Sequence, residues 1–273
     1  MSDARATGHK TFSSSMRLDA LLVEQGYFNS RAQAQAAIKE GYVKIEGRVV
    51  DKVAGKVKPD ATIIVTGHSH DFVSRGGLKL AHGLEVFGFP VSGRMVVDLG
   101  ASTGGFTDVV LKQGAAHCLA VDVGHGQLHV DLANDARVTS LEKVNARHFT
   151  QEYLPTGFQV TAIVCDVSFI SLELALPTVL NMAKADSWLI ALIKPQFEAG
   201  RAALGKGGVV RDEAMHQQVC DKIETWLATQ PGWSVKGITH SPIEGPKGNK
   251  EFLISAVKSR KGLTFFKIGI PFT

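Results

Sequence analysis

Apolar residues along the 273-residue chain fall into two regimes. Near the start, Leu18, Leu21 and Leu22 stand at i, i+3 and i+4, the spacing of one helix face. Gly26 stops that helix. Ser30 caps a second one, whose narrow stripe is Ala34, Ala37 and Ile38, and Gly41 ends it. Val43 and Ile45 then alternate with polar positions, Glu46-Gly47 turns, Val49-Val50 follows, and Ile63-Ile64-Val65 is one more short strand. From Gly76 onward the pattern changes to short apolar runs separated by helical stretches: 94–98, 118–122, 162–166, 188–194, 234–239 and 251–257. Buried strands between helices predict a doubly wound α/β sheet.

Ligands of such sheets sit beyond the carboxyl ends of the strands. Asp98, Asp122, Asp166 and Lys194 all fall at such ends, and four charged residues at one edge are not explained by packing. The stretch Asp98-Leu-Gly-Ala-Ser-Thr-Gly-Gly-Phe106 reads as a strand, a glycine turn and a helix start. Glycines there let the backbone pass close to a ligand, and the helix start offers unpaired N–H groups. The spacing G-x-x-x-G-G differs from the G-x-G-x-x-G of a dinucleotide site. Asp122 lies 24 residues after Asp98, where a carboxylate can accept both ribose hydroxyls of an adenosine cofactor. The turn resembles motif I of class I methyltransferases, which bind S-adenosylmethionine. The resemblance implies that Gly100, Ala101, Ser102 and Gly104 hold the methionyl part of the cofactor, with Asn145 meeting the adenine edge. An NAD-linked oxidoreductase shares the strand–turn–helix logic and stands as the competing reading.

Charge sharpens the picture of the first regime. The formal net charge is +4, but residues 1–66 carry +3, residues 252–273 carry +4 and the middle carries −3. Basic ends on a weakly acidic body suit a polyanion. The segments Met16-Arg-Leu-Asp-Ala-Leu-Leu, Ser30-Arg-Ala-Gln-Ala and Ile38-Lys-Glu-Gly-Tyr-Val-Lys-Ile-Glu-Gly-Arg-Val-Val50 resemble the RNA-binding domain named after ribosomal protein S4. The resemblance implies that Arg17, Arg31, Lys44 and Arg48 grip RNA phosphates. A solvated charged face is the alternative.

Methyl transfer to a ribose hydroxyl needs a base, and a lysine serves only when its environment favours the neutral form. Lys79 precedes the first strand of the sheet, Asp166 and Lys194 end later ones, and Glu251 opens the last. In class I methyltransferases that last strand runs antiparallel, so its start shares the edge with the other strands' ends. The ordered Lys79, Asp166, Lys194, Glu251 set resembles the tetrad of FtsJ/RrmJ-type ribose 2′-O-methyltransferases. With the S4-like module in front, residues 16–257 resemble the TlyA family, many members of which carry the label hemolysin. The matching segments are 74–80, 98–106, 165–172, 193–198, 205–212 and 245–251. The resemblance implies a class I (Rossmann-like) α/β methyltransferase sheet behind a small N-terminal α+β S4-like domain. It also implies an S-adenosylmethionine-dependent enzyme that methylates a cytidine 2′-hydroxyl of 23S, and in some members 16S, ribosomal RNA.

The expected organisation is a flexible tail (1–15), an S4-like RNA-binding domain (16–66), a linker (67–75), the methyltransferase domain (76–257) and a basic C-terminal tail (258–273). His68 and His70 read as linker residues, and no metal is expected. Cys118, Cys165 and Cys220 are too sparse for a disulfide framework and suit a reducing cytoplasm. The longest apolar run, 188–193, is far short of the roughly 18 residues of a membrane span. These features oppose a cytolytic protein. Filled catalytic positions oppose a non-catalytic RNA binder, and ribosomal RNA is the expected partner, with no membrane and no obligate protein partner.

Overall fold

A computed structural model describes residues 15–28, 30–39, 41–65, 72–200, 203–205 and 207–259. The expected N-terminal tail up to residue 14, most of the linker with His68 and His70, and the C-terminal tail from residue 260 lie outside the described residues. The chain divides into two compact units, Met1–Ser69 and His70–Thr273.

In the first unit, β1 (Met16–Arg17) leads into α1 (Leu18–Glu24), followed by α2 (Arg31–Lys39). Ser30 Oγ accepts the Gln33 N–H at 3.2 Å, so it caps α2. β2 (Val43–Ile45) pairs antiparallel with β3 (Arg48–Val49) across the Glu46-Gly47 turn and with β5 (Ile63–Val65) on its other side. The pairing of β1 with β4 (Lys56–Val57) has no signature in the apolar pattern, because each strand is two residues long. Leu18, Leu22, Ala34, Ile38 and Val43 form the core. Beside them Asp19 is fully buried. It accepts a fork from Arg17 at 3.0 and 3.1 Å and single bonds from Arg31 and Gln35, each at 2.8 Å.

The second unit opens with α3 (Gly76–Phe87) and winds through β6 (Met95–Leu99), α4 (Gly105–Lys112), β7 (His117–Val121), α5 (Val130–Ala133) and β8 (Val138–Leu141). β9 (Ala162–Cys165), α6 (Leu172–Ala175), α7 (Pro177–Met182), β10 (Trp188–Ile193) and α8 (Pro195–Glu198) follow. It closes with α9 (Glu213–Ala228), β11 (Trp233–His240) and β12 (Phe252–Lys258). Among the described residues these strands form one seven-stranded sheet ordered β11-β12-β10-β9-β6-β7-β8. β10, β9, β6, β7 and β8 are mutually parallel, and β12 is antiparallel to both β10 and β11. β8 escapes an apolar reading because its residues are only partly buried at the sheet margin.

Both sheet faces are covered, which is why the central strands read as unbroken apolar runs. Val97, Leu99, Ile163, Leu189 and Ile193 pack in one core with residues of α6, α7 and α9. Val96, Ala120, Val164, Ile190 and Leu192 pack in the other with residues of α3 and α4. The sheet is the class I, Rossmann-like arrangement, and the small unit is α+β.

The Asp19 node generates a stability prediction. The Arg17 bonds, aided by Arg31 and Gln35, hold the Asp19 carboxyl well below the usual carboxylate range. A lowered folded-state pKa contributes stability present above the unfolded value and lost as pH falls. Asp19→Ala should destabilise the first unit by about 1–3 kcal/mol at neutral pH. The difference from wild type should shrink below about pH 4. Denaturant-dependent amide exchange of α1 and α2 in the full chain measures this; equal protection at pH 7 contradicts it.

Candidate functional site

The turn after β6 is shaped by backbone proximity. Gly100 has φ +83, and a Cβ there would lie 2.8 Å from the Asp166 carbonyl oxygen and 2.9 Å from Val167 N. Gly104, with φ +96, leads into α4, and its Cβ would strike Leu132 Cδ1 at 2.3 Å. Ser102 adopts φ +49 without being glycine; its N–H donates to Asp122 Oδ2 at 2.8 Å. Asp122 Oδ1 accepts Gly124 N–H at 2.6 Å. Each carboxylate oxygen keeps a further lone pair. Ala101, Ser102, Asp122, Gln127, Leu128 and Glu142 line one cleft. Asn145 is not among its lining residues, and its Oδ1 caps the short turn of helix 146–148 by accepting Arg147 N–H at 3.0 Å. Glu142, singled out by neither spacing nor resemblance, lines the cleft and accepts from Gly126 N–H at 2.7 Å.

Asp98 sits one residue inside β6, fully buried, and accepts Thr107 Oγ–H at 2.6 Å. Burial, with the charges of Asp166 and Asp122, pushes its carboxyl up to about 7. Asp98, Asp122 and Asp166 thus gather acidic groups around this turn.

Further along the same edge lie two lysine–carboxylate pairs. Lys194, directly after β10, places Nζ 2.5 Å from Asp166 Oδ1. It also donates to Ser168 Oγ at 2.9 Å and to the Asp166 carbonyl at 3.3 Å. Lys79 Nζ, from α3, lies 2.6 Å from Glu251 Oε2. The rung Ile193↔Phe252 makes Lys194 and Glu251 neighbours across two antiparallel strands. The first turn of α3 also faces this edge, since a Cβ on Gly76 would be 3.9 Å from Asp166 Oδ2. Both lysines are buried. Gly245 lets the backbone approach Glu251, where any Cβ would overlap Oε1 at 2.0 Å. Glu251 Oε1 and Gln196 Oε1 are buried without a hydrogen-bond partner, and Asp166 Oδ1 has only its ion pair. Such orphaned acceptors are uncommon.

Two linked segments carry more than the sequence assigned to them. Phe169 is 90% exposed with φ +67, and its ring rests on Phe197 at 5.0 Å between centroids. Glu198 accepts from Ser171 Oγ at 2.5 Å and Leu172 N at 2.8 Å. Both segments stand out as motif matches, but side-chain partners across them are not visible in one dimension. In the first unit, Arg17 and Arg31 share Asp19, while Lys44 and Arg48 sit on the β2–β3 hairpin. Among the described residues no cluster of three His, Cys, Asp or Glu side chains could hold a metal, and no helix is long and apolar enough to cross a membrane.

Comparison with known proteins places this geometry. Residues 72–258 match the FtsJ-like methyltransferases and residues 16–63 match the S4 domain. The chain is 43% identical over 239 residues to the 16S/23S rRNA (cytidine-2′-O)-methyltransferase TlyA of Mycobacterium tuberculosis, covering 87% of this chain and 88% of that protein. It is 40% identical over 238 residues to Hemolysin A of Brachyspira hyodysenteriae, covering 87% and 98%. A solved Streptococcus thermophilus structure carrying a hemolysin designation superposes with a TM-score of 0.70 at 40% identity, covering 90% of this chain and 89% of that one. The chain therefore belongs to the TlyA family, in which an S4 domain precedes an FtsJ-like methyltransferase.

Proposed function

We propose that this chain transfers a methyl group from S-adenosylmethionine to the 2′-oxygen of a cytidine ribose in 23S ribosomal RNA, with 16S RNA, named for the 43%-identical relative, as a further candidate. The observation that carries the reading is the row of strand ends Asp122, Gly100, Asp166, Lys194, Glu251. It sets a carboxylate suited to a ribose beside a glycine turn and then two lysine–carboxylate pairs. Strands lie roughly 4.8 Å apart, so Asp122 and Lys194, three strands removed, are about 14 Å apart along the edge. That span suits an adenosine-based cofactor laid across the turn.

When bound, S-adenosylmethionine supplies an electrophilic methyl group on a sulfonium centre. The residues present fit it. Asp122 accepts from the ribose hydroxyls, the backbone at Gly100, Ala101, Ser102 and Gly104 passes along the methionyl part, and the nearby carboxylates balance its positive charge. Glu142, which lines the same cleft, would bound the adenine end. In its neutral form Lys194 would engage the attacking 2′-oxygen and accept its proton as the oxygen–methyl bond forms and the sulfur–methyl bond breaks. Asp166 then holds the resulting ammonium, and Lys79 and Glu251 fix the neighbouring side of the pocket. Arg17, Arg31, Lys44 and Arg48 anchor the RNA by its phosphates, and the reaction takes place in the cytoplasm with ribosomal RNA as partner.

Three tests follow the three parts of the site. Asp122→Ala should weaken S-adenosylhomocysteine binding by roughly 1.5–3 kcal/mol, the worth of hydrogen bonds to a charged group. Calorimetry with unchanged affinity removes Asp122 from the cofactor site. In single-turnover methylation at saturating cofactor, Lys194→Ala should lose about 10²–10⁴ in rate while binding both ligands. Lys194→Arg should not recover it, since arginine does not release its proton; a fully active Lys194→Arg makes the residue an electrostatic positioner instead. Replacing Arg31 or Arg48 should flatten the salt dependence of RNA binding by about one unit of slope per phosphate contact. An unchanged slope in both variants shows that the first unit does not grip phosphates.

A further inference from the structure

The loop between Asp166 and α6 holds a backbone that its sequence does not favour. A bulky residue at positive φ is a genuine outlier, and Phe169 sits there at φ +67 with its side chain 90% exposed. Such conformations persist only where surrounding contacts over-determine them. Beside the core packing of Val167, Ile170 and Leu172, one segment, 194–198, supplies a series of polar and ring contacts to this loop. Lys194 binds Ser168 on one side of Phe169, at 2.9 Å. The Phe197 ring supports the Phe169 ring. On the other side Glu198 takes Ser171 Oγ–H at 2.5 Å and Leu172 N–H at 2.8 Å. The two segments are thus zipped in order, and the catalytic ion pair Lys194–Asp166 lies at the open end of the zip.

Resting on the methyltransferase reading, we infer that Glu198 is a positioning residue. Its carboxylate clamps the 166–172 loop to the lysine-bearing segment and so fixes Asp166 and Ser168 against Lys194. It touches neither cofactor nor reacting atoms and acts through the loop. Glu198 is itself buried and, among the described residues, forms no ion pair; Lys222, whose charge acts on it, pairs with Glu173 at 2.5 Å. Burial pushes its carboxyl up, opposed by the Ser171 and Leu172 hydrogen bonds. A glutamine can preserve both contacts, with Oε1 accepting Leu172 N–H and Nε2 donating to Ser171 Oγ. An alanine preserves neither.

The test uses the full chain as wild type, Glu198→Ala and Glu198→Gln. Two readouts are taken: steady-state methylation of ribosomal RNA with S-adenosylmethionine varied, and hydrogen exchange of the Leu172 amide without ligands. The clamp requires kcat to fall about 10–100-fold in Glu198→Ala, as misplacement of a reacting group by about 1 Å does. The KM for S-adenosylmethionine should stay within about twofold, and Leu172 exchange should accelerate at least tenfold, because the loop frays without touching the cofactor turn. Glu198→Gln should restore both readouts. Wild-type kcat or wild-type Leu172 protection in Glu198→Ala overturns the proposal, as does an effect confined to KM. If Glu198→Ala does not fold, Glu198→Asp, whose shorter side chain cannot span both bonds, carries the same criteria at smaller amplitude. A wild-type chain that methylates no ribosomal RNA overturns the underlying functional reading, and the exchange data still decide the clamp.

Discussion

One rung of the sheet, Ile193 opposite Phe252, carries the functional arrangement. In a purely parallel sheet every residue at the carboxyl edge ends a strand. Inserting β12 antiparallel between β10 and β11 brings the start of a strand to that edge, and Glu251 with it. Glu251 in turn fixes Lys79 from α3, so a helix that precedes the whole sheet in sequence is tied to the strand that closes it. A shift of one residue in that register would turn Glu251 to the opposite face and leave Lys79 buried without its carboxylate.

Burying two lysines is costly unless each is paired and hydrogen-bonded. The arrangement meets that cost locally: Lys194 has three oxygen acceptors and Lys79 a carboxylate at 2.6 Å. The carboxylates, by contrast, keep unused oxygens. Membership of the FtsJ-like family, rather than the acidic cluster, separates the chain from a dinucleotide-binding oxidoreductase that shares the strand–turn–helix start. In the first unit a single buried carboxylate, Asp19, likewise holds two half-exposed arginines in one place.

The sequence was most legible where structure repeats a one-dimensional period. The helices of the first unit, the Ser30 cap and six strands of the large sheet follow from spacing and apolar runs. β8 and the β1–β4 pair do not, because marginal or two-residue strands bury too little to leave a pattern. The strand-end charges Asp122, Asp166 and Lys194 were visible because doubly wound sheets collect ligands at one edge. Their partners were less so. Asp98 lies inside β6 as a buried acid beside Thr107, and Glu142 replaces Asn145 as a lining residue of the cleft. The Glu198–Ser171 contact spans 27 residues, a distance that only folding closes. Resemblance to a known family supplied what spacing could not, the substrate class and the order of the tetrad.

The central claim is that this edge delivers a methyl group to a ribose oxygen of cytidine. Incubating the full chain with labelled S-adenosylmethionine and ribosomal subunits, then digesting the RNA to nucleosides for mass spectrometry, tests it most directly. The account requires 2′-O-methylcytidine as the labelled product from 23S RNA. Label on the cytosine ring, or none on the RNA at all, would contradict it.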